Sequence, residues 1–389
     1  GSGGNYAFEY SYPMDVNQYI GKIDYILSSK HQFSYYYVHD DYQSLENLTS
    51  LVTYRRTIPG TNQSAKWTWI INPTSVNSFQ ASIPGHHIYQ GDFSPNSLFI
   101  SDYSRTGQGI TYPMLYGSNG SIPSISVSGF TGLGVTPTIW SNSNRIIFFK
   151  DDFSKVLGSH TLKAGIFFQR NRKNQDNQPA VNGSFGFGPG HPLHSGNPLA
   201  DALLGNFSTY TEANGGREGW FRFTQTEFYF TDNWKVNRRL SLDAGIRINY
   251  MPQQYSPLQN TVFFAPRYFD PAQAPEVRAA DGQIIPGTGD SVNGLVAGGS
   301  SYPDALTRRF PGTNAPEFQR ILRGIPLQIS PTYWPIGPRF GFAYDITGKA
   351  KTVLRGGYGL VYERVQGNFI FSQINNFMLT RFHQDEDAF

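Results

Sequence analysis

Apolar and polar residues alternate in short runs along this chain, and the runs come in pairs. Between residues 240 and 250, Leu240, Leu242, Ala244, Ile246, Ile248 and Tyr250 fall on one parity, and Ser241, Asp243, Gly245, Arg247 and Asn249 on the other. A period of two marks a β-strand whose two faces meet unlike environments. Leu162, Ala164, Ile166 and Phe168 alternate with Thr161, Lys163, Gly165 and Gln169, interrupted only by Phe167. Phe340, Phe342, Tyr344 and Ile346 alternate with Arg339, Gly341, Ala343 and Asp345, and Tyr19, Ile23, Tyr25 and Leu27 oppose Gln18, Lys22 and Asp24. Brief polar turns join the runs into five predicted hairpins: 18–27 with 32–42, 64–71 with 75–83, 145–156 with 161–171, 221–234 with 240–250, and 338–346 with 351–364. Ten strands are expected. Near 221–231 the apolar parity switches from Phe221 and Phe223 to Phe228 and Phe230, which predicts a bulge or a register shift between them.

Runs of this length exceed the five to six residues usual for soluble strands. Eleven residues rising ~3.3 Å each at a tilt near ~45° cover roughly 25 Å, the height of the apolar band of an outer-membrane barrel. Tyr19, Trp234, Tyr250 and Tyr362 stand near strand ends, where aromatic girdle residues of such a barrel belong. A soluble sandwich would alternate in the same way, so periodicity alone leaves both open. The connections separate them. Turns within hairpins are short, whereas 43–63, 84–144, 172–220 and 251–337 contain 21, 61, 49 and 87 residues. Compact soluble domains seldom carry connections beyond about 15 residues without structure of their own, while outer-membrane barrels pair short periplasmic turns with long extracellular loops. Short helices are expected near 198–204 and 316–322.

Composition narrows the classes further. The chain has 41 Gly and 25 Pro, poor residues for helix interiors, with 30 Phe, 24 Tyr and 6 Trp, which favours an all-β fold. Cys is absent, so disulfides, thiolate metal sites and cysteine nucleophiles are excluded. With 31 basic against 28 acidic residues and no basic stripe, the charge does not point to nucleic acid. No apolar stretch approaches the ~18 residues of a spanning helix, which leaves a spanning barrel open.

Motifs for chemistry are sparse. The glycine clusters at 129–134, 183–190 and 355–359 do not open a helix after a strand, as a nucleotide site requires, and Gly348-Lys349 lacks P-loop spacing. Neither HExxH nor GxSxG occurs. His86-His87 and the pair His191 and His194 are solvated loop histidines or, less simply, a loop metal site. Asp40-Asp41 and Asp151-Asp152 are neighbours on strands and so point to opposite faces, which is no acid–base dyad. No catalytic residue and no cofactor is expected, and the chain is read as a non-enzyme. Lys163, Asp243, Arg247 and Arg339 are expected to line a polar interior. Tyr112, Tyr116, Trp140 and Trp334 are candidate ligand-contacting loop aromatics, suited to stacking on sugars or peptides, with local loop packing as the plainer role.

The paired strands also resemble a family. Lys22-Ile23-Asp24 followed by Ser28 to Phe33, then Ile122 to Ile125 with Ser128-Gly129-Phe130, Gly158 to Gly165, and Asn197 to Gly205 are similar to Oar-like TonB-dependent outer-membrane receptors of the acidobacterial type. Thr231 to Val236 with Leu240-Ser241-Leu242, Pro338 to Asp345, and Lys351 to Tyr362 with Arg355-Gly356-Gly357-Tyr358-Gly359 continue the match in order. The resemblance implies a 22-stranded barrel around a plug, opening with a carboxypeptidase-regulatory-like domain. Residues 1–389 show about ten strands and neither plug, TonB box nor regulatory-like domain, so the expectation is an internal barrel fragment with both ends in extracellular loops. Residues 384–389 lack the alternation of a closing strand. Implied partners are outer-membrane lipid, the TonB complex through the missing plug, and an unknown solute such as an oligosaccharide, peptide or metal chelate. A passive porin or structural outer-membrane protein, and a soluble secreted β-rich binding or adhesion module, are the competing expectations.

Overall fold

A computed structural model describes residues 9, 11–46, 48, 50–115, 120–130, 132, 139–177, 181–213, 217–279, 284–309, 311–328, 332–364 and 382–383. In chain order the elements are β1 (Met14–Ile26), β2 (His31–Glu46), β3 (Val52–Thr57), β4 (Gly60–Asn72), β5 (Ser75–Ser82), β6 (Gly85–Pro95), β7 (Ser124–Val127), β8 (Trp140–Leu157), β9 (His160–Asn177), β10 (Ser184–Phe187) and α1 (Pro198–Leu204). They continue with β11 (Thr209–Ala213), β12 (Arg217–Lys235), β13 (Leu240–Tyr250), β14 (Val262–Phe264), β15 (Leu295–Ala297), α2 (Asp304–Arg309), α3 (Pro316–Gln319), β16 (Ile336–Asp345), β17 (Val353–Gly359) and β18 (Phe382–His383).

Twelve segments form one sheet in the order β1-β2-β3-β6-β4-β5-β8-β9-β12-β13-β16-β17. Its register reveals a simpler plan. Thr57 pairs with Gln43 and Gly60 with Asp40, so β3 and β4 keep one register along β2. Ser82 pairs with Phe148 and Gly85 with Arg145, so β5 and β6 keep one register along β8. The interruptions fall at Pro59 and Pro84, which have no N–H to give to a ladder. The twelve segments therefore trace ten staves of an antiparallel meander, matching the five expected hairpins.

Two expectations are corrected. The connections 43–63 and 84–144 are not all loop: they hold β3 and β6 and the outer ends of β2, β4 and β8. Strands here run past the segment of clean alternation, because beyond it the environments of the two faces change. The same change accounts for the Phe221 to Phe230 switch without a bulge. β12 pairs with β9 from Arg217↔Asn177 to Trp234↔His160 in one unbroken register. Phe221 is 2% exposed on one face, whereas Phe228 and Phe230 stand exposed on the other. The strand keeps its parity while apolar burial changes sides along it.

Paired residues share a face, so the registers sort the whole wall. One face carries Phe149, Phe153, Ile166, Phe168, Phe228, Phe230, Ile246 and Phe340, mostly open to the surroundings. The other carries Lys150, Asp152, Lys163, Tyr229, Asp243, Arg247 and Arg339, placing all four expected interior charges together. The apolar face packs against no second sheet among the described residues, unlike the core of a soluble sandwich. Aromatics bracket it. Trp234 stacks on His160 at 5.2 Å near the short turns, and Tyr250 meets Trp334 at 4.7 Å toward the long connections. From the Leu242 row to Tyr250 is about 26 Å along β13, or about 20 Å of height at a 40° tilt.

The long connections fold into small units. β18, β11, β10 and β7 form a second sheet, and β14 pairs with β15. Val262, Ala297, Tyr302, Leu306 and Ile321 make a buried cluster there, flanked by Val292, Leu295, Phe318 and Leu322. α1 is set by its ends: the Asn197 side chain accepts from the Leu199 and Ala200 amides, Pro198 opens the first turn, and Gly205 closes it at φ 79°. No helix among the described residues is long and apolar enough to cross a membrane.

Candidate functional site

The polar face carries a connected strip of side chains. Lys150 Nζ lies 2.7 Å from Asp152 Oδ2, and the Tyr229 hydroxyl donates to Asp152 Oδ1 at 2.6 Å. Tyr229 reaches across β9 because Gly165 lies between: a Cβ there would stand 2.4 Å from Tyr229 Cε1. The Arg247 guanidinium lies 5.4 Å from the Tyr229 ring centre and donates to Glu227 Oε2 at 2.5 Å. Gln225 Nε2 donates to Glu227 Oε1 at 2.6 Å, and Gln225 Oε1 accepts from Arg364 Nε at 3.3 Å, with Arg364 over Phe223 at 4.4 Å. The strip joins β8, β12 and β13 to the segment after β17. Both of its carboxylates are engaged by cations and neutral donors, which suits a charged, hydrated wall more than acid–base chemistry. Asp151 points to the opposite face and accepts from Asn77 Nδ2 at 2.7 Å, so the adjacent carboxylates are split as expected.

Sequence reasoning named Arg247 for this face and split Asp152 from Asp151 without giving Asp152 a role here; it missed Glu227, Tyr229 and Arg364. A signal was present: the 235–241 turn fixes Tyr229 opposite Arg247. Arg364 carries no such signal, since it lies beyond the last paired strand.

The four candidate aromatics lie in different places. Tyr112 is half-buried, with Arg105 4.1 Å from its ring centre and edges toward Phe185 and Tyr210. Burial raises its pKa. Tyr210 is raised as well, by burial and then by its hydrogen bond to Glu212, and Glu212 also accepts from the Leu115 amide. Trp140 begins β8, with Arg56 at 5.4 Å from its ring and Nε1 buried without a partner among the described residues. Trp334 sits on the apolar face beside Tyr250 and lines a pocket of about 450 Å³ with Tyr333, Tyr362 and Arg364. Tyr116 and residues 384–389 lie outside the described residues. His194 Nδ1 hydrogen-bonds Asp201, a buried carboxylate in α1.

An exposed apolar band bracketed by aromatics, a charged opposite face, short turns at one end and long folded connections at the other define a membrane-spanning β-barrel wall. The chain belongs to the outer membrane beta barrel domain family, whose model matches residues 1–385, and its place is the outer membrane. No curated protein matches it. Three solved structures are similar at low identity. The outer membrane transporter YddB from Escherichia coli is 9% identical, with a TM-score of 0.43 over 90% of this chain and 32% of that one. The copper transporter OprC is 8% identical, with a TM-score of 0.42 over 89% of this chain and 37% of that one. The ferric-catecholate import receptor Fiu from E. coli K12, in its closed form, is 11% identical, with a TM-score of 0.36 over 89% and 51%. The chain spans about a third of the length of the first two.

Proposed function

We propose that this chain is part of the barrel of an Oar-like TonB-dependent receptor, in which the long connections capture a solute outside the cell and the polar face borders its route inward. The strip from Lys150 to Arg364 carries the reading. It is a fixed row of charges facing the interior, anchored to the segment following β17 and so able to register what the outer connections and a plug do. The Oar-like pattern running from Lys22 to Tyr362 supports the same reading. Residues 1–389 supply barrel only, and the plug and TonB-contacting segment would be encoded elsewhere in the parent chain. The solute is an oligosaccharide, a peptide or a metal chelate. Trp140, at the outer end of β8 with its indole N–H unpartnered among the described residues, is the candidate aromatic best placed to meet it, while Tyr112 is committed to packing.

Uptake by cells carrying the full-length gene tests this. Uptake of the solute should vanish when the TonB complex is deleted and return on complementation. Uptake that persists without TonB identifies a passive porin instead.

A further inference from the structure

The apolar face continues upward into a patch of arginines. The registers place Arg145, Arg172 and Arg222 abreast on β8, β9 and β12, with Arg170 one row nearer the membrane between Ile147 and Thr224. All four lie on the face that carries Phe149, Phe168 and Phe228. Arg145, Arg170 and Arg172 are exposed. No carboxylate pairs with any of the four among the described residues. Arg222 turns Nη1 to the carbonyls of Phe221 at 2.9 Å and Lys173 at 3.2 Å, and feels the charges of Arg172 and Arg170. Unscreened like charges in adjacent rows repel, and a bound anion relieves that repulsion.

The position selects the anion. Phe168 ends the aromatic-rich band, and Arg172 lies about 13 Å further along β9, or about 10 Å higher at a 40° tilt. That is the depth of headgroups above a hydrocarbon core. Beside Arg145 a groove of about 400 Å³ opens where Pro59 and Pro84 interrupt the staves. Gly85 sits in the row between Thr61 and Arg145, so the groove floor has no side chain, and exposed Ile83 forms one wall.

We propose that Arg145, Arg170, Arg172 and Arg222 bind the phosphates of a bisphosphorylated glycolipid of the outer leaflet, with part of the glycolipid seated in the groove beside Arg145. Guanidinium forks match phosphate oxygens in pairs, and the lipid source follows from the continuity of the cluster with the band below it. This site faces away from the polar strip and does not depend on the proposed solute path.

The test titrates bisphosphorylated lipid A into the full-length protein in neutral detergent and counts bound lipid by native mass spectrometry. The triple variant R145Q/R172Q/R222Q should bind at least tenfold more weakly, and lipid A stripped of phosphates should bind the native protein at least tenfold more weakly. A control losing three turn-end charges, K30Q/R238Q/K349Q, should bind as the native protein does. Millimolar inorganic phosphate should not displace the lipid. Heat-modifiable gel migration confirms that each variant is folded. As a measurement free of mutation, 0.5 M salt should weaken native binding several-fold. Native-like binding by the folded triple variant, equal binding of the stripped lipid, salt-insensitive binding, or displacement by free phosphate would each overturn the proposal.

Discussion

Gly165 shows how single positions set the wall. It pairs with Asp152 on one side and Tyr229 on the other, and only a residue without a side chain lets the Tyr229 ring cross to Asp152. Gly165→Val should therefore force the ring aside and cost about 1–3 kcal/mol in denaturant unfolding, the usual range for overpacking. Tyr229→Phe removes one hydrogen bond and should cost about 1 kcal/mol. If the Gly165→Val protein unfolds like the native one, the ring does not occupy the space over the glycine. Asp201 supplies a pH-dependent case. Burial pushes its carboxyl up, but the Ser195 amide and side chain and then His194 overcome this and hold it below its ordinary 3.8. A lowered carboxylate stabilises fully above its unfolded value and loses that contribution as pH falls through the folded one. Protection of the α1 amides, taken as exchange relative to the intrinsic rate at each pH, should fall below about pH 4 in the native protein, and Asp201→Asn should flatten that dependence. Residue-scale reading of the sequence succeeded where parity was clean, as for Lys163, Asp243, Arg247 and Arg339. It misread Phe221 to Phe230, because a parity switch looks the same whether the strand bulges or its surroundings change.

At the scale of elements, prolines and long connections decide what could be read. Pro59 and Pro84 leave their staves in register but remove ladder donors, so β3 and β6 looked like loop. The five hairpins were legible because their turns are short and polar. The fold of the long connections was not, since it rests on contacts distant in sequence, such as Val262 with Leu306 and Ile321. Leu306 and Ile321 are each 1% exposed. Leu306→Ala should weaken that unit by about 2–5 kcal/mol, the range for a buried leucine. Limited proteolysis should then cut within 252–335 while β12 and β13 stay intact. Equal resistance in the variant would show that the cluster does not hold the connection together.

At the scale of the whole molecule, the described residues form a main sheet that stays open. Among the described residues β1 pairs only with β2, and β17 only with β16. Unpaired edges are templates for further strands, so the chain by itself should form no solute-conducting pore in liposome swelling assays. Swelling at the rate of a porin control would contradict this. Fold class and outer-membrane place were written in the alternation and in the contrast of short turns with long connections, whereas the arginine patch and the Lys150 to Arg364 strip emerge only once ten staves are aligned. Everything argued above depends on which face meets lipid. Because the chain contains no cysteine, single spin labels can be placed at will. Labels at Ile166→Cys, Phe228→Cys and Ile246→Cys should collide with oxygen dissolved in the bilayer, and labels at the neighbours Phe167→Cys, Tyr229→Cys and Arg247→Cys with a water-soluble nickel complex. The account predicts that strict alternation; equal access at neighbouring positions, or the reverse order, would contradict it.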